Sequence, residues 1–254
     1  MSIIPSGTPL VLVNAFPVDR AQWDDMVEAL AELDAPLGDI ITFDVPGIGD
    51  MPIPDEDPSL EIIADAATLA MREVTGEDAA LWVGSSMGGY IAMAVAERHP
   101  DAVAGLVLIG TKASADTTEG REKRLKLAED LQGAPHAPDP VAMAEPLIGM
   151  QGAGREGLVA WVAENIARHS GKGIAWGQRA MADRPDRLQV LAQLEVPAAV
   201  VRGEHDSIAS HEDALSMANA LGVEVNTVPG VGHLTALEAS RAVAAVVAEV
   251  ARAI

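Results

Sequence analysis

Three side chains of the types needed for acyl transfer occur in a workable order along this chain. The first lies in GSSMGG (84–89), where Gly84, Ser86 and Gly88 match G-x-S-x-G between a strand-like run and a helix-like one. A serine in that position sits on a very tight turn, and the residues two away on each side must be small to avoid collision. Ser85 is one residue early and lacks the flanking glycine pair, so Ser86 is the candidate nucleophile. A hydroxyl is a poor nucleophile without a base, and the base needs an orienting acid. Asp206, in RGEHDS (202–207), and His233, in PGVGHLTALE (229–238), follow apolar runs later in the chain. The order Ser, acid, His is that of one particular fold.

Other residues compete for these roles. Glu204, Asp213 and Asp116 are alternative acids, and His205, beside Asp206, is an alternative base. His205 and His211 with Glu212 and Asp213 fit no metal-ligand spacing, so no metal site is expected. His136 and His169 are read as solvated or substrate-facing, and His99, ahead of Pro100, as a structural cation at a helix C-terminus. The Gly-Lys-Ser/Thr of a phosphate loop is absent. GAGREG (152–157) matches G-x-G-x-x-G but follows a helical stretch and lacks the acid about 20 residues on, so it reads as a turn.

Positioning three such residues requires a scaffold. Apolar runs at 9–13, 39–43, 79–83, 105–109, 197–201 and 223–228 read as strands, and most are continuously apolar, as in parallel strands covered on both faces. Helix-like stretches at 20–33, 59–75, 87–98, 211–221 and 235–252 alternate with them. This order predicts an α/β fold with a doubly wound, mostly parallel sheet. From 112 to 194 the alternation stops. Helical segments near 119–131, 140–149, 155–169 and 173–182 are separated by Pro/Gly turns and read as an insertion over the sheet.

The 254 residues carry a formal charge of −21 and no cysteine, with about half of them apolar. Disulfides and cysteine metal sites are thereby excluded. The acidic balance opposes nucleic acid and anionic membrane surfaces and serves solubility. No run is long enough to span a membrane, and the N-terminus does not read as a secretory leader, so a cytoplasmic location is expected.

With NAFP (14–17), DVPGIGDM (44–51), GSSMGG (84–89), RGEHD (202–206) and GHLTALE (232–238) together, the chain resembles the α/β-hydrolase fold superfamily. The type is the cap-bearing serine esterase and lactonase, including enol-lactonases and cofactor-free haloperoxidases. The resemblance implies a core of residues 1–111 and 195–254, with 112–194 as a helical cap after the sixth family strand. It makes Ser86 the nucleophile, Asp206 the acid and His233 the base. The oxyanion hole would use the backbone N–H groups of Met87 and Phe16. The family's usual His-Gly is Asn14-Ala15 here, and alanine would be strained if the loop required positive φ. Asp50 stands where serine is usual. The N-terminal hairpin is expected to be reduced, leaving a sheet edge for covering or pairing.

The expected function is serine hydrolysis of a small or medium ester or lactone without a cofactor. Trp23, Met143, Met150, Trp161 and Trp176 are candidate substrate-contacting side chains, against the alternative of ordinary packing. The partner would be a small molecule, with neither nucleic acid nor membrane, and the protein a monomer or homodimer. Carbon–carbon bond hydrolysis, acyl transfer and perhydrolysis use the same triad, and a ligand-binding protein on the same fold is the non-enzymatic alternative. Dehalogenation and epoxide opening use an aspartate nucleophile, against Ser86.

Overall fold

The computed structural model describes residues 7–254. The expectations of no secretory leader and of a reduced hairpin rest largely on residues 1–6, which lie outside them. Six strands are described: β1 (Thr8–Val13), β2 (Leu37–Phe43), β3 (Ala80–Ser85), β4 (Val103–Ile109), β5 (Ala198–Gly203) and β6 (Val225–Val228). All pair in parallel, in the order β2-β1-β3-β4-β5-β6. The sequence order reverses between β1 and β3, so a crevice opens beyond their C-terminal ends. That switch point carries the loop after Val13 on one side and Ser86 on the other, because Val13 is in register with Gly84.

The period-two alternation of the strands divides the core. Val11, Val13, Trp82, Leu106, Leu108 and Val200 face one cluster. Leu10, Leu12, Leu81, Val83, Val107 and Ile109 face the other. Helices α1 (Asp24–Ala31) and α11 (Ser240–Ala253) close the second face. Helices α2 (Leu60–Thr75), α3 (Met87–Arg98) and α9 (His211–Leu221) close the first. His99 follows α3 and places its Nε2 2.7 Å from the Asp65 carboxylate, a structural role as expected.

Between β4 and β5 lie only helices: α4 (Thr118–Leu131), α5 (Pro140–Ala144), α6 (Arg155–Ala167), α7 (Gly171–Ala182) and α8 (Leu188–Ala192). A short α10 (Thr235–Glu238) precedes α11. This region forms a cap, and its docking on the core is close. A Cβ placed on Gly173 would lie 2.2 Å from the Gly47 carbonyl oxygen, and one on Gly177 would lie 2.3 Å from the Phe16 ring. The main chain of α7 therefore rests directly on two core loops. GAGREG forms the turn into α6, with Gly154 at φ 101° as its N-cap.

Ion pairs fasten the cap's flanks. Arg187 is enclosed and reaches Glu97 at 3.0 Å and also Glu61. Asp116, an alternative acid in the sequence, accepts from Arg124 at 2.6 Å and Arg184 at 2.7 Å, with Lys112 3.4 Å away. Arg184 also stacks 4.2 Å over the Tyr90 ring. Burial raises the Asp116 carboxyl, but Arg184 and Arg124 overcome this and hold it well below the usual carboxylate range. Among the described residues no helix is long and apolar enough to cross a membrane.

Removing the carboxylate strands an enclosed guanidinium, which in general destabilises more than loss of the pair itself. Asp116→Ala is expected to lower the unfolding free energy by about 3 kcal/mol in urea titration; a loss within error of zero would show that the Arg184 charge finds solvent.

Candidate active site

Ser86 adopts φ 52° and ψ −113°, one of two non-glycine residues at positive φ among those described. Such backbone geometry costs on the order of 1–3 kcal/mol and persists only where the surroundings impose it. Here β4 imposes it. The Ser86 N–H donates to the Ile109 carbonyl at 2.9 Å, and the Thr111 hydroxyl donates to the Ser86 carbonyl at 2.7 Å. The two flanking glycines are required by space: a Cβ on Gly84 would fall 2.3 Å from the Gly88 carbonyl oxygen, and one on Gly88 2.0 Å from that of Val13.

The Ser86 hydroxyl lies 2.8 Å from His233 Nε2. The Nδ1 of the same ring is 3.0 Å from both carboxylate oxygens of Asp206. With Nδ1–H donating to Asp206, Nε2 is left to accept the serine proton. Asp206 sits in the turn after β5, where the Ile208 and Ala209 N–H groups donate to Oδ1 at 2.8 and 3.0 Å. Burial pushes the Asp206 carboxyl up, but the His233 hydrogen bond and charge, with those two amides, bring it below its ordinary value. The acid is thus held ionised against the imidazole, and both side chains are almost fully enclosed.

The competing residues are engaged elsewhere. Asp116 is in its arginine cluster, Glu204 accepts the Gly230 N–H at 2.8 Å, and Asp213 caps α9 with Ser210. His205 is exposed beside the Gly149 carbonyl.

Met87 opens α3, so its N–H has no acceptor within the helix and points where helix-end positive charge gathers. Phe16 is in the loop after β1, with its ring against Gly177. Ala15 is not among the positive-φ residues, so the strain anticipated for replacing glycine there does not arise. Asn14, fully enclosed, instead donates its side-chain amide to the Val18 carbonyl and folds the loop on itself. Asp50 accepts from Arg20 at 3.1 Å and lines a polar cavity of about 320 Å³ with Asp19, Asp44 and His169.

Of the candidate substrate-contacting side chains, Trp176 belongs to the cap-side core, and Met143, Met150 and Trp161 pack against it, partly exposed. Trp23 does not join them. It is fully enclosed in the cluster on the other face of the sheet, with Ala236 and the α1 and α11 side chains. Its spacing from Met26 and Leu30 explains this, since positions three and seven residues on share the sheet-facing stripe of α1. His136 is exposed, whereas His169 is 3% exposed and not solvated.

His169 joins cap to core. The Gly49 N–H donates to Nδ1 at 3.3 Å, and Nε2 faces Asn165 Oδ1 at 3.2 Å. Asn165 in turn donates to Asp19 at 2.7 Å and accepts the Asp19 N–H at 3.0 Å. This arrangement needs a neutral ring, because a proton on Nδ1 would oppose the Gly49 N–H. Burial lowers the His169 pKa from its ordinary value of 6.5, with Asp19 and Asp44 opposing and Arg168 assisting.

Residues 8–150 match the family described as alpha/beta hydrolase fold. A solved thermophilic esterase from Thermogutta terrifontis, malate bound, is 27% identical with a TM-score of 0.87, covering 96% of this chain and 89% of that one. A 2-succinyl-6-hydroxy-2,4-cyclohexadiene-1-carboxylate synthase of Enterobacter sp. is 27% identical over 96% of this chain and 91% of its own length. The biotin biosynthesis bifunctional protein BioHC of Teredinibacter turnerae is 25% identical over 80% of this chain, which spans only 37% of that longer protein.

The lowered His169 pKa carries a stability consequence of definite sign. The unfolded chain binds this proton more readily than the folded one, so the contact's contribution is whole above pH 6.5 and declines as the pH falls from there towards the folded-state pKa. Thermal melts taken from about pH 7.5 down to about pH 5 are expected to show a falling Tm, with a shallower fall in His169→Gln. Identical slopes in the two proteins would contradict the assignment.

Proposed function

The chain belongs to the alpha/beta hydrolase fold family, and from that premise we propose that it is a serine hydrolase cleaving small or medium carboxylic esters or lactones through an acyl-enzyme on Ser86. The observation that carries this reading is the continuous row from the Ser86 hydroxyl through His233 to Asp206. His233 Nε2 takes the serine proton as Oγ attacks the substrate carbonyl carbon. The imidazolium so formed is stabilised by the ionised Asp206. The N–H groups of Met87 and Phe16 receive the negative oxygen of the tetrahedral intermediate, each worth on the order of 3–4 kcal/mol of barrier. His233 then returns the proton to the departing alcohol oxygen. In the second half, His233 takes a proton from water, the hydroxide oxygen attacks the acyl carbon, and Ser86 leaves with its proton restored.

The substrate class draws support from the esterase likeness and from the apolar character of the cap side chains Trp176, Met143 and Met150, which pack in or against the cap-side core. These side chains, with Trp161, form the acyl-facing ceiling in this reading. The Enterobacter relative bears a synthase name, and turnover of a substrate that is neither ester nor lactone is the alternative outcome of a substrate panel. A cytoplasmic setting belongs to the reading as an expectation of the sequence, and cell fractionation tests it.

Ser86→Ala is expected to abolish turnover of p-nitrophenyl esters and labelling by a fluorophosphonate. His233→Ala should lose nearly as much, because the two groups act as a unit. Substantial ester turnover by folded Ser86→Ala would remove the acyl-enzyme mechanism. Gly177→Ala presses a methyl group into the Phe16 ring; kcat should fall with less change in KM, and an unaltered kcat would detach Phe16 from the oxyanion role.

A further inference from the structure

Glu238 ends α10, five residues after His233, and its half-buried carboxylate accepts from three main-chain amides. Oε1 accepts the Gly232 N–H at 2.9 Å. Oε2 accepts the N–H groups of Gly149 at 3.0 Å and Met150 at 2.7 Å. The first amide belongs to the residue immediately before His233. The other two belong to the cap, in the stretch between α5 and α6. One side chain therefore holds the histidine loop and the cap together.

The same cap stretch grips the other side of the histidine. The Leu234 N–H donates to the Leu147 carbonyl at 3.1 Å. Gly149 and Gly232 meet backbone to backbone: a Cβ on Gly149 would lie 2.5 Å from Gly232 Cα, and one on Gly232 would lie 2.3 Å from the Gly149 nitrogen. Thr235 donates its hydroxyl to the Gly232 carbonyl at 2.9 Å, closing the loop from within. Residues 232 and 234 are thus both fastened to 147–150, and His233 lies between them.

We infer that Glu238 is a positioning residue: it sets His233 against Ser86 by tying the histidine loop to cap residues 149 and 150, so that the placement of the cap and the placement of the base are one adjustment. The inference rests on the serine hydrolase reading and adds to it a residue outside the triad. Burial, with the negative charge of Asp206 assisting, pushes the Glu238 carboxyl above its ordinary range against the pull of the three amides. The half-buried carboxylate is met by fixed main-chain donors, and those donors belong to the two segments to be joined. The other titratable groups around this loop are Asp206, which bonds the imidazole itself, and His205 with Glu204, 3.9 Å apart on the exposed side. Through these contacts any displacement of 147–150 is passed to the loop that carries His233.

Glu238→Gln preserves size but turns an amide NH2 against one or more of the N–H donors. Glu238→Asp keeps the charge and shortens the reach. The test compares the wild type and both variants in fluorophosphonate labelling rate as a function of pH and in kcat and KM for p-nitrophenyl acetate, with near-UV circular dichroism reporting the fold. Folded Glu238→Gln is expected to lose on the order of tenfold or more in labelling rate and in kcat, with KM within about twofold, and to displace the acid limb of the labelling profile. Glu238→Asp should fall between the two and is read by the same criteria if Glu238→Gln does not fold. Wild-type rates and an unmoved pH profile in a folded variant would overturn the inference, as would a failure of both variants to fold, which would make the carboxylate a strut of the fold. A wild type that is folded and takes no label at all would instead remove the serine hydrolase reading beneath it.

Discussion

A single hydrogen bond between residues 147 positions apart governs this structure: the 2.8 Å contact between Ser86 and His233. Neither group reacts usefully alone, and nothing local brings them together. Ser86 is presented by the sharp turn out of β3, held in an unfavourable conformation by β4 on both sides. His233 is presented by the loop after β6, three strands away in the sheet order. The parallel sheet sets the distance between these loops. The apolar cores on its two faces make that sheet rigid enough for a contact whose tolerance is a few tenths of an ångström.

Much of this was legible in the sequence because the responsible signals are local. Strands enclosed on both faces are written as continuous apolar runs, and all six were found to within a few residues. The span of α3 followed from GSSMGG at its start and His99-Pro100 at its end. Ser86, Asp206 and His233 were identifiable because steric demand places glycines around the serine, and because acid and base each follow a strand. Two helix boundaries differ from the periodic pattern, one through a local breaker and one through tertiary contacts. The stretch 140–149 was read as one helix, yet α5 ends at Ala144 and a short 3-10 turn follows, since Pro146 cannot supply the helix N–H. The stretch 235–252 was also read as one helix. It breaks at Ala239 without any glycine or proline, and the break leaves Glu238 free to face back towards Gly232 and the cap.

The residues that sequence reasoning missed act through the main chain of other segments. Glu238 has the composition of any helical surface glutamate, and only its three amide partners distinguish it. His169, for which the sequence leaves solvated and substrate-facing placements open, is buried against Asn165 and Gly49, which are far apart in the chain. Trp23 was assigned by residue type to the substrate side, but it lies one step ahead of α1, and its burial follows the face of that helix. In each case the missing information is a long-range partner, which no periodicity encodes.

Helix α7 meets the core through Gly173, whose main chain abuts that of Gly47, and Gly177, whose main chain abuts the Phe16 ring. Where side chains form a seam, substitution can trade one shape for another and let a roof settle at a new height. A seam of bare backbone has nothing to trade, and any added carbon acts as a wedge. Substitutions meant to alter the cap are therefore better borne at its side-chain contacts than at these two positions. A laboratory library aimed at new acyl groups gains most by leaving both glycines untouched.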